Sequence, residues 1–170
     1  MSASAVNELS FQDQGSVRYC HGCGADNEKG LRIKSYWDGD EAVARWRAQA
    51  HHCGGTPDRL NGGIIASLID CHSLNLAIAR AYRDEQRAIG STPRIGYVTA
   101  HLNVSYLKPT PLGETLELRA RIDKLLCGCQ VANTRVLFFL VTLSLPDQRE
   151  TCCYTWHGTG PSHFFAMRSL

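Results

Sequence analysis

Between Arg59 and Arg80 the chain carries a single formal charge, Asp70. The stretch Asn61-Gly62-Gly63-Ile64-Ile65-Ala66-Ser67-Leu68-Ile69-Asp70 opens on a glycine pair and is otherwise apolar, and the run continues through Leu74, Leu76, Ala77 and Ile78. Apolar residues fall on nearly every side of a helix drawn through this segment, which predicts a buried helix from about Gly63 to Arg87 rather than a surface one. Its second half is charged (Arg80, Arg83, Asp84, Glu85, Arg87), so that end reaches water, and Gly90-Ser91-Thr92-Pro93 stops it. A helix apolar on most sides must be wrapped by something.

Asp70 is out of place in such a helix. A lone carboxylate is costly to bury unless it is paired or used, and removal from water makes a carboxylate a stronger base. Gly62 and Gly63 leave free N–H groups at the helix start, where partial positive charge collects. A base a few turns from an anion-stabilising helix end is the equipment of a hydrolase. The competing reading is structural: Asp70 caps a loop or pairs with His72 or an arginine, and the glycines merely allow close packing.

The wrapping comes from strands. Leu31 to Trp37 and Ala42 to Trp46, joined by Asp38-Gly39-Asp40, read as a hairpin. His51 to Leu60 reads as loop. From Val98 to Tyr106 the alternation is clean, with Val98, Ala100, Leu102, Val104 and Tyr106 on one face and Thr99, His101, Asn103 and Ser105 on the other. Lys108 to Gly113 turns the chain, Thr115 to Ile122 alternates again, and Cys127-Gly128-Cys129 leads into Gln130 to Leu145, apolar on both faces near Phe138. Pro146-Asp147 precedes a last strand, Thr151 to Trp156. The fold class is α+β, a strongly curved antiparallel sheet around one long central helix. Residues 1–16 are expected as a flexible N-terminal arm, 17–158 as a single domain and 159–170 as a C-terminal tail.

At 170 residues the chain fits one domain with an adequate core. A net charge of +2 gives no broad basic surface, so nucleic acid is not an expected partner. No apolar run is read as long enough for a membrane span; the longest, Val136 to Leu145, is about half of the ~20 residues required. Met1 to Gly15 is polar and reads as no signal peptide, so the eight cysteines are expected as reduced thiols and the protein as cytoplasmic. Cys20-x-x-Cys23 is half of a zinc pattern. His51, His52 and Cys53, or Cys127 and Cys129, would have to complete it, but no second C-x-x-C exists, and neither a metal nor another cofactor is expected. Cys71 points about 100° away from Asp70 on a helix, so it is read as core packing, and His72 as a satisfied core histidine. His101 falls on the polar strand face, exposed or at a subunit contact.

Three blocks resemble one family. Cys20-His21-Gly22-Cys23-Gly24-Ala25-Asp26-Asn27 with Gly30-Leu31, then Asn61-Gly62-Gly63 with Asp70 nine residues after Asn61, then Val98-Thr99-Ala100 through Tyr106-Leu107-Lys108-Pro109, are similar to the hotdog-fold acyl-CoA thioesterases of the phenylacetic-acid-degradation type. The resemblance implies the hotdog fold and hydrolysis of an acyl-CoA thioester to a free acid and coenzyme A. It implies Asp70 as general base or nucleophile, the Gly63 amide as oxyanion donor, Thr99 as a residue placing the attacking water, and Cys20 and Cys23 as a structural turn. It implies a site formed between two subunits, with Asp70 of one facing Gly63 of the other, in a homodimer or a dimer of dimers.

Asn61 stands where the family commonly has His. It can donate a hydrogen bond and orient the carbonyl, but it cannot carry a proton at neutral pH. Gly62 joins the substrate-binding set, and Lys108, Arg94, Arg119 and Arg121 are candidates for the coenzyme A phosphates, Lys108 and Arg94 foremost. The stretch from Asp70 to Thr99 is long for the family, which gives the charged helix end, Arg80 to Arg87, room to cap a channel or alter subunit packing. The alternative function is a non-catalytic acyl-CoA-binding hotdog module in which Asp70 is structural.

Overall fold

The computed structural model describes residues 9–126, 134–145 and 148–161. After a one-turn helix α1 (Phe11–Gln14) come the strands β1 (Ser35–Asp38) and β2 (Glu41–Arg47), then a short 3-10 turn (Ala50–His52) and the two-stranded ribbon β3 (Cys53–Gly54) and β4 (Thr56–Leu60). Helix α2 (Gly62–Asp84) follows, then β5 (Val98–Tyr106), β6 (Thr115–Leu126), β7 (Thr134–Leu145) and β8 (Gln148–Pro161). Six strands form one antiparallel sheet in the order β1-β2-β6-β7-β8-β5, which leaves β5 on an edge. The turns expected at Cys127 to Cys129 and at Pro146-Asp147 lie outside the described residues.

α2 packs against this sheet. Leu68, Ile69 and Leu76 of the helix are completely buried, as are Leu116 and Leu118 of β6, with Ala42, Ala44 and Ala120 between them. Each such leucine or isoleucine contributes about 1.5–3 kcal/mol of apolar burial. The small alanines on β2 and β6 let the helix approach the sheet closely. By length and composition α2 is itself apolar enough to cross a bilayer, contrary to the expectation that no run qualifies, and half of that stretch is buried against the sheet. The charged end packs on its own chain: Arg80 pairs with Asp84, Arg83 lies over the Trp37 ring, and Arg87 lies over Tyr82.

Three sequence expectations shift. The loop from His51 to Leu60 contains the β3–β4 ribbon. The described part of 1–16 is packed: Ser10 caps α1, Phe11 is buried against Trp37, and Gln12 is buried too, so the folded unit begins before residue 17. At the other end β8 runs to Pro161, past the boundary set at 158.

The burial of Gln12 closes a polar chain through the core. Gln12 Nε2 donates to Ser35 Oγ at 2.9 Å, and its Oε1 accepts from the Ser35 amide at 2.8 Å. His72 Nε2 meets the Ala42 carbonyl at 3.2 Å, so that nitrogen must carry the proton, and Nδ1 accepts from Ser35 Oγ–H at 2.8 Å. His72 is fully buried and satisfied, and burial pushes its pKa down to about 4 against the opposing pull of the Ala42 carbonyl.

Candidate active site

The site residues assemble around the start and third turn of α2. Asn61 is the N-cap: its Oδ1 accepts the Gly63 N–H at 2.8 Å, and its own N–H is held by the His52 carbonyl at 3.0 Å. Asn is among the best residues for this position. The Gly63 amide assigned to the oxyanion is therefore engaged by Asn61, and Asn61, expected to orient a carbonyl, acts here as a cap. Gly62 is held by Tyr106, whose hydroxyl donates to the Gly62 carbonyl at 2.7 Å. A Cβ at Gly62 would sit 3.3 Å from the Tyr106 ring, so Gly62 serves close packing of β5 on the helix start. Tyr106 was not among the expected site residues. Its place at the end of an alternating strand gave no sign that its hydroxyl would reach the helix.

Asp70 is half-buried and bonded to Thr99, whose Oγ1–H donates to Asp70 Oδ1. Simple alternation places Thr99 opposite Leu102 and Val104, which pack on the core. A bulge corrects this. Thr99 pairs with Gly158 and His101 with His157, so Ala100 is out of register and the phase of β5 changes there. Thr99 then faces the helix, as bulges commonly re-aim side chains beside functional sites. The structural pairing of Asp70 with His72 is excluded, because both ring nitrogens of His72 are used elsewhere. The side chain of His101 lies outside the described residues.

Gly63 and Asp70 lie on one face of α2, seven residues and about 10 Å apart along the axis. A reacting carbon must sit about 3 Å from both its nucleophile and its oxyanion donor, so one chain would have to bring a water held by Asp70 and its own Gly63 amide together across that separation. Farther along the same face, a cavity of about 90 Å³ is lined by Leu74 and Ile78 of the helix together with Phe11, Val17, Ile95 and Tyr97.

Lys108 and Arg94 are both exposed. Arg119 is not available to a ligand, being bound by Asp38 at 2.8 Å, Glu117 at 2.9 Å and Glu41 at 3.3 Å, and the Asp38 hydrogen bond leads in raising its pKa. Arg121 is exposed. Cys71 is buried as expected, but it stands beside Cys20 and Cys23 with all three Sγ atoms within 4.8 Å of one another. The neighbouring Cys71 thiol pulls the Cys23 pKa down, and the Cys23 sulfur with burial pushes that of Cys71 up.

A sequence model of the thioesterase superfamily matches residues 58–131, a span that includes every proposed site residue from Asn61 to Lys108 and leaves out the Cys20-x-x-Cys23 loop. The crystal structure of a thioesterase superfamily protein from Shewanella loihica is 31% identical, over 76% of this chain and 90% of that one, with a TM-score of 0.55. This chain belongs to the thioesterase superfamily. Two more distant structures show the same hotdog fold: the Escherichia coli PaaI protein from the phenylacetic acid degradation operon (17% identity, 78% and 82% of the two chains, TM-score 0.56) and zebra fish thioesterase superfamily member 2 (17%, 89% and 99%, 0.59). No curated protein matches the chain. Membership supports thioester hydrolysis as the general activity of this thioesterase.

Proposed function

We propose that the protein hydrolyses acyl-CoA thioesters, with Asp70 of one subunit and the helix start of a second subunit forming each site. The observation that carries this reading is the placement of Asp70: a half-buried carboxylate on an apolar helix, held by Thr99 and aligned with the glycine helix start on one face of α2. Asp70 takes a proton from water, and the water oxygen bonds to the thioester carbon. The oxygen of the resulting tetrahedral intermediate is met by the Gly63 N–H of the partner subunit and by the positive end of its helix. Collapse breaks the C–S bond, and the coenzyme A sulfur leaves and takes up a proton. In the covalent variant Asp70 itself attacks, and water then cleaves the anhydride. Thr99 fixes the carboxylate and its water.

The two-subunit arrangement is supported by the roughly 10 Å that separates Gly63 from Asp70 within one chain. A second support is β5, an edge strand with Val98 and Tyr106 exposed and Leu107 exposed just beyond its end; such an edge is normally covered. Lys108 and Arg94 bind the coenzyme A phosphates in this reading. The cavity beyond Leu74 takes the acyl end, which favours a short or medium acyl group over a long chain. The free thiols of Cys20, Cys23, Cys53 and Cys71 fit a cytoplasmic setting.

Free-thiol release from a panel of aliphatic and aromatic acyl-CoA substrates tests the reaction. Turnover in the wild type that falls by at least 100-fold in Asp70→Asn, with the fold retained, supports it; full activity in the variant removes Asp70 from the mechanism. One observation favours the non-catalytic acyl-CoA-binding reading: the Asn61 side chain already occupies the Gly63 N–H. Tight binding of acyl-CoA with no turnover across the panel would establish that alternative.

A further inference from the structure

The thioesterase mechanism uses none of the three thiols behind Asp70. Cys20 and Cys23 come from a loop and Cys71 from α2, yet their sulfurs converge within 4.8 Å, with Cys20 and Cys71 3.6 Å apart. The loop is built for this approach. It turns through a hydrogen bond from the Gly24 amide to the Cys20 carbonyl at 2.9 Å, and it is pinned by Leu31 N–H to the His21 carbonyl at 2.7 Å and Ile33 N–H to the Gly22 carbonyl at 3.1 Å. Gly22 is the contact point: a Cβ there would lie 2.4 Å from Cys71 Sγ and 3.3 Å from the Ser67 carbonyl, so only glycine lets the loop lie on the helix. Asn75, one turn beyond Cys71, donates to the Cys71 carbonyl at 2.8 Å and so helps fix the helical turn that carries this thiol.

We propose that Cys20, Cys23 and Cys71 form a three-thiolate site for a thiophilic d10 metal ion, Zn²⁺ in the first place. An ion about 2.3 Å from each sulfur sets the sulfurs about 3.8 Å apart in tetrahedral geometry. The Cys20–Cys71 pair is at that spacing already, and the longest side of the triangle closes by about 1 Å. Each ligating thiol releases its proton to solvent, and no oxidation state changes. Among the described residues no fourth protein ligand joins the cluster, so the fourth position falls to an exogenous ligand, reached from the side on which Cys20 is half-exposed. The ion would tie the Cys20–Cys23 loop to the helical turn that carries Asp70. Soft thiolates select this class of ion over hard cations.

The test uses the full chain, reduced, stripped with a chelator, loaded with Zn²⁺ alone and desalted. The site predicts one zinc per chain, a higher Tm in the loaded form, and thiolate-to-metal charge-transfer absorption when Co²⁺ replaces Zn²⁺. Cys20→Ser and Cys23→Ser should each lose the zinc and the Tm rise, whereas Cys53→Ser, which alters an exposed thiol outside the cluster, should keep both. Cys20 is the ligand least involved in the core, so Cys20→Ser, shown folded by circular dichroism, is the deciding variant. Far less than one zinc per chain in the wild type, or full retention by folded Cys20→Ser, overturns the proposal. Metal content and Tm report on it whether or not the thioesterase reaction is the one proposed above.

Discussion

Lowering the pH should destabilise this protein through His72 well before its carboxylates are protonated. The ring is fully buried, its two nitrogens are bonded to Ser35 and the Ala42 carbonyl, and its pKa is pushed down to about 4. In the unfolded chain the same group titrates near 6.5. Between those two values only the unfolded state carries the extra proton, so stability is complete above about 6.5 and falls as the pH drops towards 4. The slope approaches about 1.4 kcal/mol per pH unit, and the whole window amounts to about 3 kcal/mol. That is a large part of the 5–15 kcal/mol expected for a domain. His52 shifts in the same direction, through its burial and then its neighbours His51 and His21. Asp13, held low first by its hydrogen bond to Lys34, loses its contribution only at lower pH. The assay is urea unfolding of reduced, chelator-treated protein at half-unit steps from pH 7.5 to 4.5, with wild type beside His72→Gln. The amide retains one donor for Ala42 and cannot be protonated, so the variant should keep only the shallow remainder of the slope. A wild-type curve that is flat between pH 6.5 and 4.5, or an equally steep curve in His72→Gln, would refute the argument.

Thr99→Val, nearly equal in volume, removes the hydroxyl that holds Asp70; kcat should fall about 10- to 100-fold, the kinetic equivalent of a hydrogen bond to a charged group worth about 1.5–3 kcal/mol, with Tm little changed. Asn61→Ala removes the cap on Gly63 and should cost about 1 kcal/mol in urea unfolding. Ile78→Phe adds bulk to the cavity beyond Leu74 and should shift acyl-CoA preference towards shorter chains, read as kcat/KM across a chain-length series; an unchanged profile would place the acyl group elsewhere.

Much of the fold is legible in the sequence because its signals are local. The apolar run after Asn61 is a buried helix, and the alternating segments from Val98 onward are strands of one sheet. The missed features are those that depend on partners distant in sequence. Thr99 reaches Asp70 only because β5 slips register at Ala100 against β8, and nothing in residues 98–106 announces a bulge. Cys71 reads as packing until the fold lays the Cys20–Cys23 loop across it. Two further signals are local. Ser10, three residues before Asp13, is a helix-start pattern, and it tethers the segment expected as a loose arm. Asn before a glycine-led helix is first of all a cap, and that is the role Asn61 takes.

The central claim is a hydrolytic site made from Asp70 of one subunit and the Gly63 amide of another, and subunit mixing tests it most directly. Asp70→Asn removes the base. Gly63→Pro removes the N–H at an early helix position where proline fits. Each variant alone should be nearly inactive in acyl-CoA thiol release. After co-expression, mixed dimers should recover about one quarter of wild-type activity, because about half of the dimers are mixed and each of those holds one intact site. No recovery from folded, mixed dimers, or full activity in Gly63→Pro alone, would contradict the account.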